Sequence, residues 1–336
     1  MKAILLRSPG GPEQFVPEEW PQPVPAAGQV LVQIKAAALN RRDLLLRTRA
    51  TSQSMMPFIP GSDGAGVIAA LGPSVSGPRP GDEVVINPAL EWGAQDDAPS
   101  PQFRILGGPD DGTFAEYVCV PAENVFPKPP HLSFQEAAAF PLAGLTVWRA
   151  LVSKARVQTG EWVLIHGVGS GTGTLAVQVA RFCGARVIVT SHDDVKLKKA
   201  LSLGAEVAIN YAHRDWKEEV RRVLEGRGVD VVLDSIGRVT FAGGLDELRH
   251  GGRLVTFGST SGSMTELDVR MLYHKQLSLY GTTMGSPHEF SGMLAAVESG
   301  FIRPVVDRVF PLSDAAAASR YMEQQDQFGK IVLTVA

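Results

Sequence analysis

The chain has 336 residues, enough for about two domains at roughly 150 residues each. Its formal net charge of −3 gives no electrostatic reason to expect nucleic acid or an anionic membrane surface as a partner. No uninterrupted apolar run is long enough for a bilayer span, and MKAILLRSPGG lacks the sustained apolar stretch of a signal peptide. Cys119 and Cys183 are too few for a disulfide framework or a four-thiolate metal site, so a reducing cytoplasm is expected.

Short strands rich in β-branched residues and bounded by Gly and Pro are expected over residues 2–7, 30–37, 64–71, 83–87 and 115–120. Without helix–strand alternation, they read as a small, partly open β-barrel. Residues 87–113 are rich in Pro, Asp and Gly and show no periodicity. So long a loop is often functional, although a surface excursion kept for packing fits as well.

The pattern changes after Pro127. Residues 134–156 are Ala- and Leu-rich and helical, with interruptions expected at Pro141 and Gly144. Strands and helices then alternate, and runs such as WVLI, RVIVT and VDVVLD are almost continuously apolar, as parallel strands buried on both faces should be. The fold class expected is therefore α/β: a barrel plus a doubly wound parallel sheet. Residues 289–336 add helices and a last strand, KIVLTV.

The strand EWVLIH runs into GVGSGTG and then into a helix. Gly167, Gly171 and Gly173 satisfy G-x-x-x-G-x-G, but not the stricter G-x-G-x-x-G. Glycines remove Cβ atoms that would block a pyrophosphate, and N–H groups at the helix start meet its charge, so Gly169, Ser170, Gly171 and Thr172 are candidate cofactor contacts. A tight packing turn is the plainer alternative. At the end of the second strand a carboxylate would select NAD. Ser191 and His192 stand there instead, with Asp193 and Asp194 in what reads as a helix cap. Losing that carboxylate favours NADP(H), and Lys196 adds attraction or is simply a solvated helix residue.

ALNRRDLLLR, PGSDGAGVIAALG, AAAFPLAGLTVWRAL, HGVGSGTG, SLGAEVAINY, VVLDSIG, GRLVTFGSTSG and FGKIVL occur in this order. With them the chain resembles the zinc-free quinone oxidoreductase branch of the medium-chain dehydrogenase/reductase superfamily over essentially its full length. The resemblance implies a GroES-like partly open β-barrel (1–127 and 286–336) interrupted by a Rossmann domain (128–285), with the active site in the cleft between them. It also implies a homodimer or dimer of dimers, pairing through the last Rossmann strand near residues 277–281. Asn40 and Thr146 match residues near the nicotinamide ribose, and Arg41 matches an arginine on the pyrophosphate. Lys196 and Tyr211 match residues around the 2′-phosphate. Phe257, Gly258 and Ser259, with Thr282, Thr283 and Met284, would bracket the carboxamide, and Lys330 would approach the phosphates. Asn40 also fits a helix cap completed by Asp43, and Tyr211 fits core packing.

Related zinc enzymes carry Cys where Asn40 stands and His-Glu where Ser62-Asp63 stands, and their third ligand falls near residues 143–144, which offer no side-chain donor. Asp63 alone cannot supply the three ligands of a catalytic zinc, so no metal is expected. Residues 87–113 match the lobe that holds a structural zinc in those relatives, yet contain no Cys. The tyrosine often found two positions after the aspartate matching Asp43 is Leu45 here, which leaves no evident proton donor. Alcohol oxidation is hard to drive without a Lewis acid. Hydride transfer to a quinone or an activated alkene (an enal or enone) needs less help, with solvent as a proton source. The alternatives are a zinc-type alcohol dehydrogenase with unorthodox ligands, or an NADPH-binding protein of little turnover with a structural or RNA-binding role. Substrate lining is expected from loops such as residues 48–57.

Overall fold

A computed structural model of the chain describes residues 1–48 and 56–335, so residues 49–55 of the expected lining loop lie outside the described residues. Two compact units divide them: Met1–Ala143 with Gly285–Glu298 and Pro304–Ala336, and Gly144–Met284 with Ser299–Arg303.

The first unit is built on β1 (Lys2–Leu6), β2 (Phe15–Glu19), β3 (Gln29–Ala38), β4 (Asp63–Leu71), β5 (Glu83–Ile86), β6 (Ala89–Leu90), β7 (Arg104–Ile105), β8 (Tyr117–Pro121) and β9 (Val125–Pro127). In the second unit lie β10 (Trp162–His166), β11 (Arg186–Ser191), β12 (Val207–Asn210), β13 (Val229–Asp234), β14 (Leu248–Thr256) and β15 (Ser278–Gly281). Finally β16 (Val306–Pro311) and β17 (Lys330–Thr334) return to the first unit. Its main sheet runs β16-β17-β3-β4-β5-β9, with β8 on the other side of β3. Only the β16–β17 pair in it is parallel. Leu5, Leu6, Phe15, Val30, Ile34, Phe58, Phe114, Ile331 and Leu333 form its dry core, each worth about 1.5–3 kcal/mol of burial.

Helix α1 (Arg41–Thr48) leaves the end of β3 directly. The expected helix over 134–156 is α2 (Phe134–Ala138), α3 (Pro141–Trp148) and a π-helical turn over Arg149–Lys154. Ser133 and Glu136 form a capping box that starts α2. Pro141 opens α3, where its missing N–H costs nothing. Gly144 lies inside α3 and does not interrupt it. The first unit therefore reaches to Ala143, past the 127/128 boundary expected from sequence.

The second unit is the expected parallel sheet, ordered β12-β11-β10-β13-β14-β15. Every residue of β10 and β13 is buried, which explains their largely apolar character. Helices α4 (Gly171–Phe182), α5 (Asp194–Ser202), α6 (Trp216–Val223), α7 (Phe241–Glu247) and α8 (Val269–His274) belong to this unit, and α9 (Pro287–Glu298) and α10 (Ala315–Gln324) to the first. The strand order reverses between β10 and β13, and such a switch point is where doubly wound sheets bind ligands, beyond the strands' carboxyl ends.

Candidate active site

At the carboxyl end of β10 the chain turns through Gly167, whose φ of 68° is a conformation that favours glycine. Gly167 N and Val168 N both donate to Thr190 O, which ties the turn to β11. Ser170 is the N-cap of α4, and its Oγ accepts from Gly173 N at 3.0 Å. A Cβ on Gly173 would stand 2.9 Å from Val168 Cα and O, so only glycine lets α4 pack this closely on the turn. The N–H groups of Gly169, Ser170, Gly171 and Thr172 lie in the turn and first residues that open α4. A glycine-rich turn at the positive end of a twelve-residue helix fits a pyrophosphate.

Ser191 and His192 lie at the end of β11, and Asn210 opposite Ser191 leads β12 into Tyr211. His192 Nδ1 and Tyr211 Oη are 3.1 Å apart, both side chains at the surface. The nearby carboxylates are engaged elsewhere: Asp193 Oδ1 accepts from Val195 N and Lys196 N as the expected cap, and Asp194 Oδ1 from Asn210 Nδ2. The Lys196 side chain is buried. Across the sheet, Phe257–Ser259 and Thr282–Met284 follow the paired strands β14 and β15, with Thr282 N bonded to Thr256 O at 3.0 Å. Thr282 Oγ1 is buried without a partner, which an oxygen- or amide-bearing ligand would satisfy. Thr146 Oγ1 approaches Met284 Sδ at 3.9 Å, so these two expected residues do meet. His166, on the last position of β10, carries no local motif that marks it as a site residue. It contacts Thr190 Oγ1 at 3.2 Å and the edge of Trp216, and burial pushes its imidazole down to about 4.

In the first unit the expected site residues Asn40 and Lys330 come together, 290 positions apart in sequence, with Asp63 between them. Lys330 Nζ donates to Asn40 Oδ1 at 2.7 Å and to Asp63 Oδ2 at 2.7 Å. Asn40 Nδ2 donates to Asp63 Oδ2 at 3.0 Å, and Leu142 N near the start of α3 donates to Asp63 Oδ1 at 2.7 Å. Thr113 Oγ1 fixes the Asp63 backbone through its carbonyl. All three side chains are buried. Asp63, considered from sequence only as an insufficient metal ligand, is the hub. Its signal in sequence was a lone acid beside Ser62; the lysine that neutralises it is invisible locally.

The α1 cap is half of the expected box. Asn40 N donates to Asp43 Oδ2 at 2.7 Å, while Asn40 Oδ1 has turned to Lys330 and away from the helix start. Asp43 is fully buried with Oδ1 unpartnered, and burial raises its carboxyl to about 6. Arg41 is half-buried at the start of α1. Its neighbour Arg42 donates to Ile105 O, Gly107 O and Gly108 O, so the Cys-free loop is fastened to α1 by one guanidinium whose pKa burial lowers. Arg104 adds ion pairs to Glu91 and Asp110 within that loop.

A zinc ion does not suit these residues. The Ser62 hydroxyl donates to Leu106 O, the Asp63 carboxylate accepts three bonds, and an ammonium stands against it. Among the described residues no group of three or more His, Cys, Asp or Glu is placed to hold a metal. Nor is any helix among them long and apolar enough to cross a membrane.

Two family models match the chain: an alcohol dehydrogenase GroES-like domain over residues 26–130 and a zinc-binding dehydrogenase over residues 171–299. A zinc-type alcohol dehydrogenase-like protein of Schizosaccharomyces pombe is 34% identical over 97% of this chain and 96% of its own length. The chain belongs to the medium-chain dehydrogenase/reductase superfamily. It is an oxidoreductase of that superfamily, whose members bind a nicotinamide cofactor, with the GroES-like and Rossmann halves expected from sequence. Human quinone oxidoreductase is 28% identical over 99% of this chain and 97% of its own. The solved structure of an NAD-dependent alcohol dehydrogenase superposes with a TM-score of 0.95 at 42% identity, covering 100% of both chains.

Proposed function

We propose that this chain is a zinc-free, NADPH-dependent reductase of quinones or of activated alkenes such as enals and enones. The observation that carries the reading is the closed Asn40–Asp63–Lys330 network. Every donor atom that a catalytic metal would need there is committed to an amide, a carboxylate or an ammonium. Without a Lewis acid the site suits an acceptor that is already electrophilic.

The cofactor, when bound, supplies the hydride. The glycine-rich turn from Gly169 to Thr172, at the start of α4, holds its pyrophosphate. Phe257–Ser259, Thr282–Met284 and Thr146 hold its carboxamide end, and Arg41 contributes charge. The 2′-phosphate is received at the strand ends by Ser191, His192 and Tyr211, with Lys196 behind them, and the absence of a free carboxylate there supports NADPH over NADH. Asn40 orients the nicotinamide ribose. Without a tyrosine at Leu45, the proton comes from solvent. The unpaired edge of β15, with half-buried Leu279 and Tyr280 and exposed Tyr273 and Val269 nearby, supports pairing with a second copy of the chain. Two free cysteines, both with raised pKa values from burial, suit a reducing cytoplasm.

The test is NADPH oxidation followed against a panel of quinones, enals and enones, with primary alcohols and NADP⁺ as the reverse arm. Turnover of the quinones or conjugated carbonyls and not of the alcohols supports the reading. Alcohol oxidation as the faster reaction would replace it with the dehydrogenase alternative, and no turnover at all would leave the nucleotide-binding alternative.

A further inference from the structure

We infer that Asp63 and Lys330 are positioning residues that lock the orientation of the Asn40 amide, leaving one amide N–H as a fixed donor for a bound ligand. The inference rests on the reading that Asn40 serves the cofactor in hydride transfer.

The argument is a count of donors and acceptors. An ammonium can only donate and an ionised carboxylate can only accept. Lys330 Nζ lies 2.7 Å from one polar atom of the Asn40 amide, and Asp63 Oδ2 lies 3.0 Å from the other. Only one assignment satisfies both: oxygen toward lysine, nitrogen toward aspartate. A flipped amide would set N–H against N–H and oxygen against oxygen, in a place where side chains are at most 6% exposed and water cannot compensate.

Asp63 is itself immobile, because Oδ1 accepts from the Leu142 backbone and Thr113 holds its carbonyl. Lys330 sits on β17 in the first unit's sheet, with its backbone N bonded to Val305 O. Both partners of the amide are thus fixed by backbone bonds, which is what makes them a frame rather than a surface ion pair. After Asp63 takes one Nδ2 hydrogen, the second has, among the described residues, only Ala38 O at 3.5 Å, the outer limit of a hydrogen bond. That hydrogen is the donor the frame aims. Asp43 feels the charges of Arg42, Lys330 and Asp63, and it bonds the Asn40 backbone, not its amide.

The arrangement separates two roles for Lys330. A phosphate contact would show in cofactor affinity, whereas a positioning residue would show in turnover. Lys330→Met alone would leave Asp63 buried beside an empty space and could fail to fold. The informative pair is Lys330→Arg, which keeps two donors, and Lys330→Met/Asp63→Asn, which removes both charges together. Each is compared with the native chain in three measurements: thermal stability, NADPH affinity by fluorescence titration, and kcat and KM with para-benzoquinone. A fourth is independent of turnover: solvent exchange of the Asn40 side-chain NH2 by NMR, its signal assigned by loss in Asn40→Ser.

The expected result is a slowly exchanging Asn40 amide in the native chain and in Lys330→Arg. In Lys330→Met/Asp63→Asn exchange is faster by about tenfold or more, kcat falls by about tenfold and NADPH affinity stays within about threefold. Unchanged exchange in the double variant overturns the frame. Faster exchange with unchanged kcat overturns its role in the reaction. A tenfold loss of NADPH affinity with kcat preserved assigns Lys330 to the phosphates instead. If the native chain turns over no acceptor, the functional reading fails while the exchange arm still decides whether the frame exists.

Discussion

Lys330 Nζ and Asp63 Oδ2 lie 2.7 Å apart with both side chains buried, so the first unit holds a closed ion pair in its interior. Neutralising one partner alone leaves the other charge buried, at a cost of about 3–5 kcal/mol, whereas replacing both is far milder. Asp63→Asn and Lys330→Met should each lower the melting temperature well below that of the double variant. Thermal unfolding of the three chains checks this, and additive effects would show that the pair is not coupled.

Ser191→Asp places a carboxylate at the end of β11, where the native carboxylates are engaged as a cap and with Asn210. The account expects NADPH binding to weaken roughly ten- to a hundredfold, with NADH binding kept or improved. Titration with both nucleotides measures the ratio. An unchanged ratio would remove this strand end from cofactor selection.

Two buried groups titrate in opposite senses. Asp43 has its carboxyl raised by burial from 3.8 to about 6, so the stability it contributes is complete below its unfolded value and is lost as pH rises through 6. His166 has its imidazole lowered by burial from 6.5 to about 4, so its contribution is present above 6.5 and is lost as pH falls through 4. The two slopes partly cancel in the native chain. Asp43→Asn should expose the histidine slope, with stability rising between pH 4 and 6.5, by on the order of 3 kcal/mol at most. His166→Gln should expose the opposite slope. Denaturant unfolding across that range measures both, and parallel profiles in all three chains would contradict the assignment.

Arg42→Met keeps the aliphatic stem but removes the donors that reach Ile105 O, Gly107 O and Gly108 O. A loss of about 2–3 kcal/mol is expected, together with faster proteolysis within the Cys-free loop. Unchanged cleavage in that loop would mean that Arg104 and its two carboxylates hold it unaided.

Much of the nucleotide-binding unit was legible in sequence because its determinants are local. Parallel strands such as β10 and β13 are mostly apolar since both faces are covered, and the Gly167–Gly173 turn and the Asp193 cap are short-range patterns. The direction of the Asn40 amide was not legible. It depends on Lys330, which arrives from the far end of the chain through β17, whereas a local cap with Asp43 also fits the same residues. Gly144 reads locally as a helix breaker yet sits inside α3, since packing outweighs a propensity cost of about 1 kcal/mol. The clasp by Arg42 was likewise hidden, because its acceptors are backbone carbonyls that carry no side-chain signature.

Reduction of an electrophilic acceptor without a metal is decided on a single preparation. Zinc content and the rate of NADPH oxidation by a quinone or enone are determined on the same sample, before and after exhaustive chelation. The account predicts an undiminished rate in a sample holding far less than one zinc per chain, with no gain when zinc is returned. A rate that falls with the zinc and recovers on its addition would contradict it.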